Sequence, residues 1–91
     1  VKLKIAKSAR KFGYLIWNNK TNDDMEKLLS EKSYVQVILN GFNLGKKHID
    51  RKYYRISLGY KFTRSLPSEH DTFNISLRND YLEVITTNEN E

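Results

Sequence analysis

From Tyr54 to Thr63 the chain alternates without interruption. Tyr54, Ile56, Leu58, Tyr60 and Phe62 are apolar or aromatic, and Arg55, Ser57, Gly59, Lys61 and Thr63 between them are not. Side chains of a strand point to opposite faces in turn, so the pattern predicts one long strand over Lys52–Arg64 with an apolar face and a basic-polar face. Shorter runs predict strands at Lys2 to Lys7, Phe12 to Trp17, Tyr34 to Leu39, Thr72 to Arg78 and Tyr81 to Thr86. Asn40-Gly41 offers the two positive-φ residues of a tight hairpin, returning through Phe42 and Leu44 to about Ile49. Gly13 reads as a turn or bulge, Ser8–Lys11 as a basic connection, and Asn79-Asp80 as a second turn.

A single helix is predicted over about 22–31. Thr21 and Asp24 have the spacing of a capping box, Asp23, Asp24 and Glu26 suit the positive end of a helix dipole, and Met25, Leu28 and Leu29 form one narrow apolar stripe. The expected fold is α+β: a mostly antiparallel sheet or half-open barrel of about six to seven strands with that one short helix packed on it. Residues 1–87 make one domain, and the acidic segment 88–91 is expected to fray. A chain of 91 residues has a modest core, which makes a homodimer attractive.

Charge sharpens this picture. The formal net charge is +5, but its distribution is uneven. Residues 1–12 carry Lys2, Lys4, Lys7, Arg10 and Lys11 with no acid, and residues 46–64 carry Lys46, Lys47, Arg51, Lys52, Arg55, Lys61 and Arg64 against Asp50 alone. The last stretch, 65–91, holds Arg78 against six acids. Two separate cationic segments imply a directional field and an anionic partner. The competing structural reading is that the cations offset carboxylates of the C-terminal hairpin.

Candidate chemistry is sparse. Without cysteine there is no disulfide scaffold, thiolate metal site or thiol nucleophile. The serines lack a glycine-framed elbow, and Gly13, Gly41, Gly45 and Gly59 are isolated, so neither a nucleophile site nor a phosphate loop is written here. His48-Ile49-Asp50 and Glu69-His70-Asp71 do not converge three ligands by spacing alone, and no metal or cofactor is expected. No apolar run reaches bilayer length and the basic start lacks a signal-peptide core, so a cytoplasmic, non-enzymatic protein is the expectation.

The first half resembles the swapped-hairpin DNA-binding domain of AbrB/MazE-type regulators and antitoxins. The residues carrying the likeness are Lys4-Ile5, Phe12-Gly13-Tyr14-Leu15-Ile16, Leu28-Leu29, Tyr34 to Leu39 and Asn40-Gly41 with its return strand, over roughly residues 2–49. The family usually has Arg after that glycine and Pro closing the strand, where this chain has Tyr14 and Trp17, and residues 53–87 fall outside the likeness. The resemblance implies an interlocked dimer placing Lys7, Arg10 and Lys11 on DNA.

The functional expectation is a small nucleic-acid-binding protein, duplex DNA before RNA, using a basic sheet surface. Lys7, Arg10, Lys11, Lys46, Lys47, Arg51, Lys52, Arg55, Lys61 and Arg64 would contact phosphates, with Arg55 the favoured reader of a base edge. RNA becomes the better partner if Tyr14, Trp17 or Tyr53 lies exposed on the sheet. The alternative is an interaction module or inhibitor that docks the same basic face on an acidic protein surface.

Overall fold

The computed structural model describes residues 1–89. Seven strands form one strongly curved, nearly closed sheet in the order β1-β6-β7-β3-β4-β5-β2. They are β1 (Lys2–Lys4), β2 (Tyr14–Ile16), β3 (Tyr34–Leu39), β4 (Phe42–Asp50), β5 (Arg55–Ser57), β6 (Thr72–Arg78) and β7 (Tyr81–Thr87). The sheet is mixed: β3 and β7 run parallel, and every other neighbouring pair is antiparallel. Among the described residues three helices accompany it, α1 (Lys7–Phe12), α2 (Asn19–Leu29) and α3 (Tyr60–Arg64), where the sequence pattern predicts one.

The largest departure lies in the segment that alternates best. Arg51–Tyr54 is a turn, with Tyr54 at φ 53°, and only Arg55–Ser57 is strand. Gly59, at φ 102°, ends the extended run and opens α3. The inward members Ile56 and Leu58 are fully buried as expected, but in α3 the buried residue is Thr63, while Tyr60 and Phe62 face solvent. A three-residue strand leading into one short helical turn shows the same binary pattern as a continuous strand, because the two periodicities separate only over longer windows.

The expected basic connection Ser8–Lys11 is helical instead. Its one buried side chain is Ala9, which leaves no apolar stripe to announce a helix. Gly13 closes α1 in the left-handed conformation, φ 82°, and its N–H donates to the Ala9 carbonyl at 2.8 Å. Helix α2 begins three residues before the predicted start because a second capping box wins. The Asn18 Oδ1 accepts from the Thr21 N–H at 3.1 Å, and Thr21 Oγ1 accepts from the Asn18 N–H at 3.2 Å. Met25 and Leu29 anchor α2 in the core.

The other turns follow their residues. Asn40 (φ 48°) and Gly41 (φ 87°) join β3 to β4, with Leu39 paired to Phe42 across them. A bulge between Val37 and Ile38 of β3 leaves Leu44 of β4 without a cross-strand partner, and the Asn43 side chain accepts the Gly45 N–H at 2.9 Å. The core fills the inside of the curve, with Leu15, Val37, Ile56, Phe73, Leu82 and Val84 nearly or fully buried.

The seam where the chain ends meet is partly electrostatic. Lys4 pairs with Asp71 at 3.3 Å and Lys2 with Glu89 at 3.4 Å, so two N-terminal lysines are spent on C-terminal carboxylates. Glu89, in the segment predicted to fray, also donates its N–H to Asp71 Oδ1 at 3.1 Å. Asn90 and Glu91 of that segment lie outside the described residues. The Glu89 N–H holds the Asp71 carboxyl below its ordinary value against the opposing effect of desolvation, with the Thr72 hydroxyl and Lys4 adding to the lowering. The folded state therefore binds fewer protons than the unfolded chain in acid. Asp71 supports the fold fully above the ordinary aspartate pKa, and this support is lost as pH falls from there through the lowered value. Urea unfolding between pH 5 and pH 2 is expected to show this extra acid sensitivity, and Asp71→Asn to remove it.

Candidate nucleic-acid interface

Strands β4, β5 and β2 carry one outward surface. Cross-strand partners share a face, which places Asp50 beside Arg55 and Tyr14 beside Ser57 on the side opposite the buried pairs Ile49–Ile56 and Leu15–Ile56. His48 and Lys46 continue that face along β4. Tyr14, Lys46, Lys47, Asp50, Arg55 and Ser57 line a recess of about 370 Å³ there, with His48 at its side.

The centre of the surface is the Arg55 guanidinium. It lies 4.4 Å from the Tyr14 ring centroid and 4.9 Å from that of Tyr53, so it is flanked by two aromatic rings. Its Nε is 3.4 Å from Asp50 Oδ2, and Asp50 Oδ1 accepts the Tyr53 N–H at 3.2 Å. One carboxylate thus orients the arginine and pins the turn carrying Tyr53. Cation–ring contacts of this kind are worth about 0.5–2 kcal/mol. Tyr53 remains 56% exposed, with the Lys52 ammonium 5.4 Å from its ring. Tyr34 and His48, a further exposed pair, meet edge to face at 5.3 Å on the neighbouring register.

The ten predicted contact residues do not form one stripe. Arg55 and Lys46 line the recess beside Tyr14, Lys47 borders it from the Ile49 side of β4, and Lys52 reaches the Tyr53 ring. Lys61 and Arg64 belong to α3 rather than to the strand of Arg55; Lys61 lines a different recess, and Arg64 packs 4.9 Å from the Tyr60 ring. Lys7 and Lys11 are exposed on α1, with Lys11 5.5 Å from the Phe12 ring. Two arginines hold the fold itself. Arg10 donates to the carbonyls of Leu66, Pro67 and His70. Arg51 donates from Nε to Glu26 at 2.9 Å and to the carbonyls of Lys32 and Ser30, each at 2.6 Å, closing the C-terminal end of α2.

The histidine triplets are also drawn into local bonds. His70 Nδ1 is 2.7 Å from the Thr86 hydroxyl, in a network with the Asn40 side chain, and His48 stands over Tyr34. Trp17 is only 3% exposed, with its indole N–H on Asn22 at 3.0 Å, and so is unavailable for stacking. Sequence reasoning missed Tyr34 as part of this surface. Its signal was the residue's place at the start of a strand, out of phase with the inward Val35, Val37 and Leu39.

A scan against protein-family models finds none that matches the chain, and searches of the curated proteins and of solved structures return no match.

Proposed function

We propose that the protein is a non-enzymatic module that binds single-stranded nucleic acid on the β4–β5–β2 face, RNA before duplex DNA. The observation that carries this is the exposed Tyr53 ring beside a pre-oriented Arg55, with Lys46, Lys47 and Lys52 around them. An unpaired base stacks on an aromatic or guanidinium plane, and phosphates on either side need cations at short range. A duplex hides its bases and asks instead for a longer charged track, which the dispersal of Lys61, Arg64, Lys7 and Lys11 over two helices does not favour.

Fluorescence anisotropy with labelled oligouridine and with an RNA duplex and a DNA duplex of matched length tests this directly. Oligouridine is expected to bind best, with affinity falling as salt rises, by a slope of about −0.7 for each phosphate neutralised. Tyr53→Ala should weaken it by about tenfold or more, the usual cost of one lost base–ring stack. The double change Lys46→Ala/Lys47→Ala should flatten the salt slope. Lack of binding to any of the three at low salt would overturn the proposal, and preference for a duplex would overturn its single-strand part.

A further inference from the structure

Strand β4 is the longest in the sheet, yet only its last two residues, Ile49 and Asp50, pair with β5. From Phe42 to His48 it has β3 on one side and, among the described residues, no strand on the other. The phase of the free edge can be read from its neighbours. The Ile49 N–H donates to the Ser33 carbonyl at 2.9 Å, so in the alternation of an antiparallel ladder Ile49 and Lys47 turn their backbone groups toward β3. His48 and Lys46 turn theirs the opposite way, toward the β5 side, where the ladder has stopped.

A separate recess lies at each end of that edge. At its His48 end is the basic recess already described. At its Phe42 end is a second recess of about 500 Å³, between the β3–β4 hairpin and α3, walled by Leu39, Phe42, Phe62, Leu66 and Pro67 with Lys61 at its rim. Phe42 is 69% and Phe62 41% exposed, large apolar areas for a small domain to leave in water. The edge also carries none of the proline or inward charge that blunts exposed strands at the apolar end; its lysines lie at the other end.

From these observations we infer a second binding site: β4 accepts an extended acidic peptide segment of a partner protein as an added strand. Main-chain bonds form to Lys46 and His48, an aromatic side chain of the guest enters the Phe42–Phe62 recess, and its carboxylates meet Lys46, Lys47 and Lys61. Charge complementarity selects this guest. The cations lining the two recesses outnumber their single carboxylate, Asp50, which is already held by Arg55 and the Tyr53 N–H. Added strands gain affinity from the backbone and selectivity from side-chain pockets, and the unpaired edge with its recesses offers both. An antiparallel guest presents its acidic residues before its aromatic one. The site leaves out Tyr53 but shares with the nucleic-acid face the basic recess and its Lys46, Lys47 and Arg55.

The test uses a fluorescein-labelled peptide with two acidic residues, three β-branched residues and then phenylalanine, together with the same peptide in reversed order. Saturable binding is expected for the forward peptide, with Phe42→Ala or Phe62→Ala weakening it by about tenfold, as for a buried aromatic anchor, and Tyr53→Ala leaving it unchanged. Two N-methylated versions, each blocked on the alternate amides of one edge, keep the wild-type protein throughout, so the answer does not depend on the variants folding. Only one of them should lose binding. Failure of both peptide orders to bind, equal behaviour of the two N-methylated forms, or indifference to both phenylalanine changes would overturn the inference. So would sedimentation showing that the edge is already covered by a second copy of the chain.

Discussion

Replacing Gly13 with alanine is expected to remove about 3 kcal/mol or more of stability, a large share of the roughly 5–15 kcal/mol that holds a domain of this kind together. Two costs add. Gly13 sits at φ 82°, where a side chain costs about 1–2 kcal/mol. Its Cβ would also fall 2.5 Å from the Gly59 carbonyl carbon and 2.8 Å from Tyr60 Cα, with the Tyr60 nitrogen closer still. These are backbone atoms and cannot rotate away, so α1 and α3 must separate, an overpacking cost of about 1–3 kcal/mol. The contact is close because the Gly13 carbonyl accepts two bonds, from Leu58 N–H at 2.7 Å and Gly59 N–H at 3.2 Å. Gly41→Ala is the control: it has a similar φ of 87° but open space around it, and should cost about 1 kcal/mol from conformation alone. Urea midpoints of the two variants measured together decide the matter, and equal losses would show that the α1–α3 approach is not tight.

The second large effect is expected from Arg10→Met, about 2–3 kcal/mol, with no change in nucleic-acid affinity beyond that of one remote charge. The guanidinium donates to Leu66 at 3.1 Å, to Pro67 at 3.3 Å and to His70, so it fixes the loop between α3 and β6 from a helix more than fifty residues earlier in the chain. Methionine preserves much of the stem's packing but supplies no donor, which leaves three carbonyls to find water. In this arrangement both terminal nitrogens of Arg10 are engaged by loop carbonyls. A variant of unaltered stability that lost one phosphate contact from the salt slope would reverse the assignment.

Both arginines illustrate what sequence could and could not say. The strands at Tyr34–Leu39, Phe42–Asp50, Thr72–Arg78 and Tyr81–Thr87 were legible because each has two different faces or a strong turn beside it. Helix α1 was not, since six residues with one buried alanine carry no periodicity, and α3 was hidden inside an alternation that it shares with β5. Charge clustering along the chain pointed to Arg55, Lys46 and Lys47, which line one recess, and to Lys52, whose ammonium lies beside the Tyr53 ring. It could not show that Arg10 and Arg51 would find carbonyls instead of solvent, because those acceptors come from loops distant in sequence. The expectation of one continuous basic strand gave way because Lys61 and Arg64 belong to a helix.

The parallel pairing of β3 with β7 has a consequence for the order of assembly. Residues 36–39 lie against 81–84, and β7 sits between β6 and β3 in the middle of the sheet. During synthesis the early hairpin therefore waits for a central partner made about forty-five residues later, the β7-facing edge of β3 uncovered until then. Pairings that span such long stretches of chain slow barrel closure. The half-made protein is thus the form most exposed to sticking to its neighbours, through the very segment that later becomes the middle of the sheet.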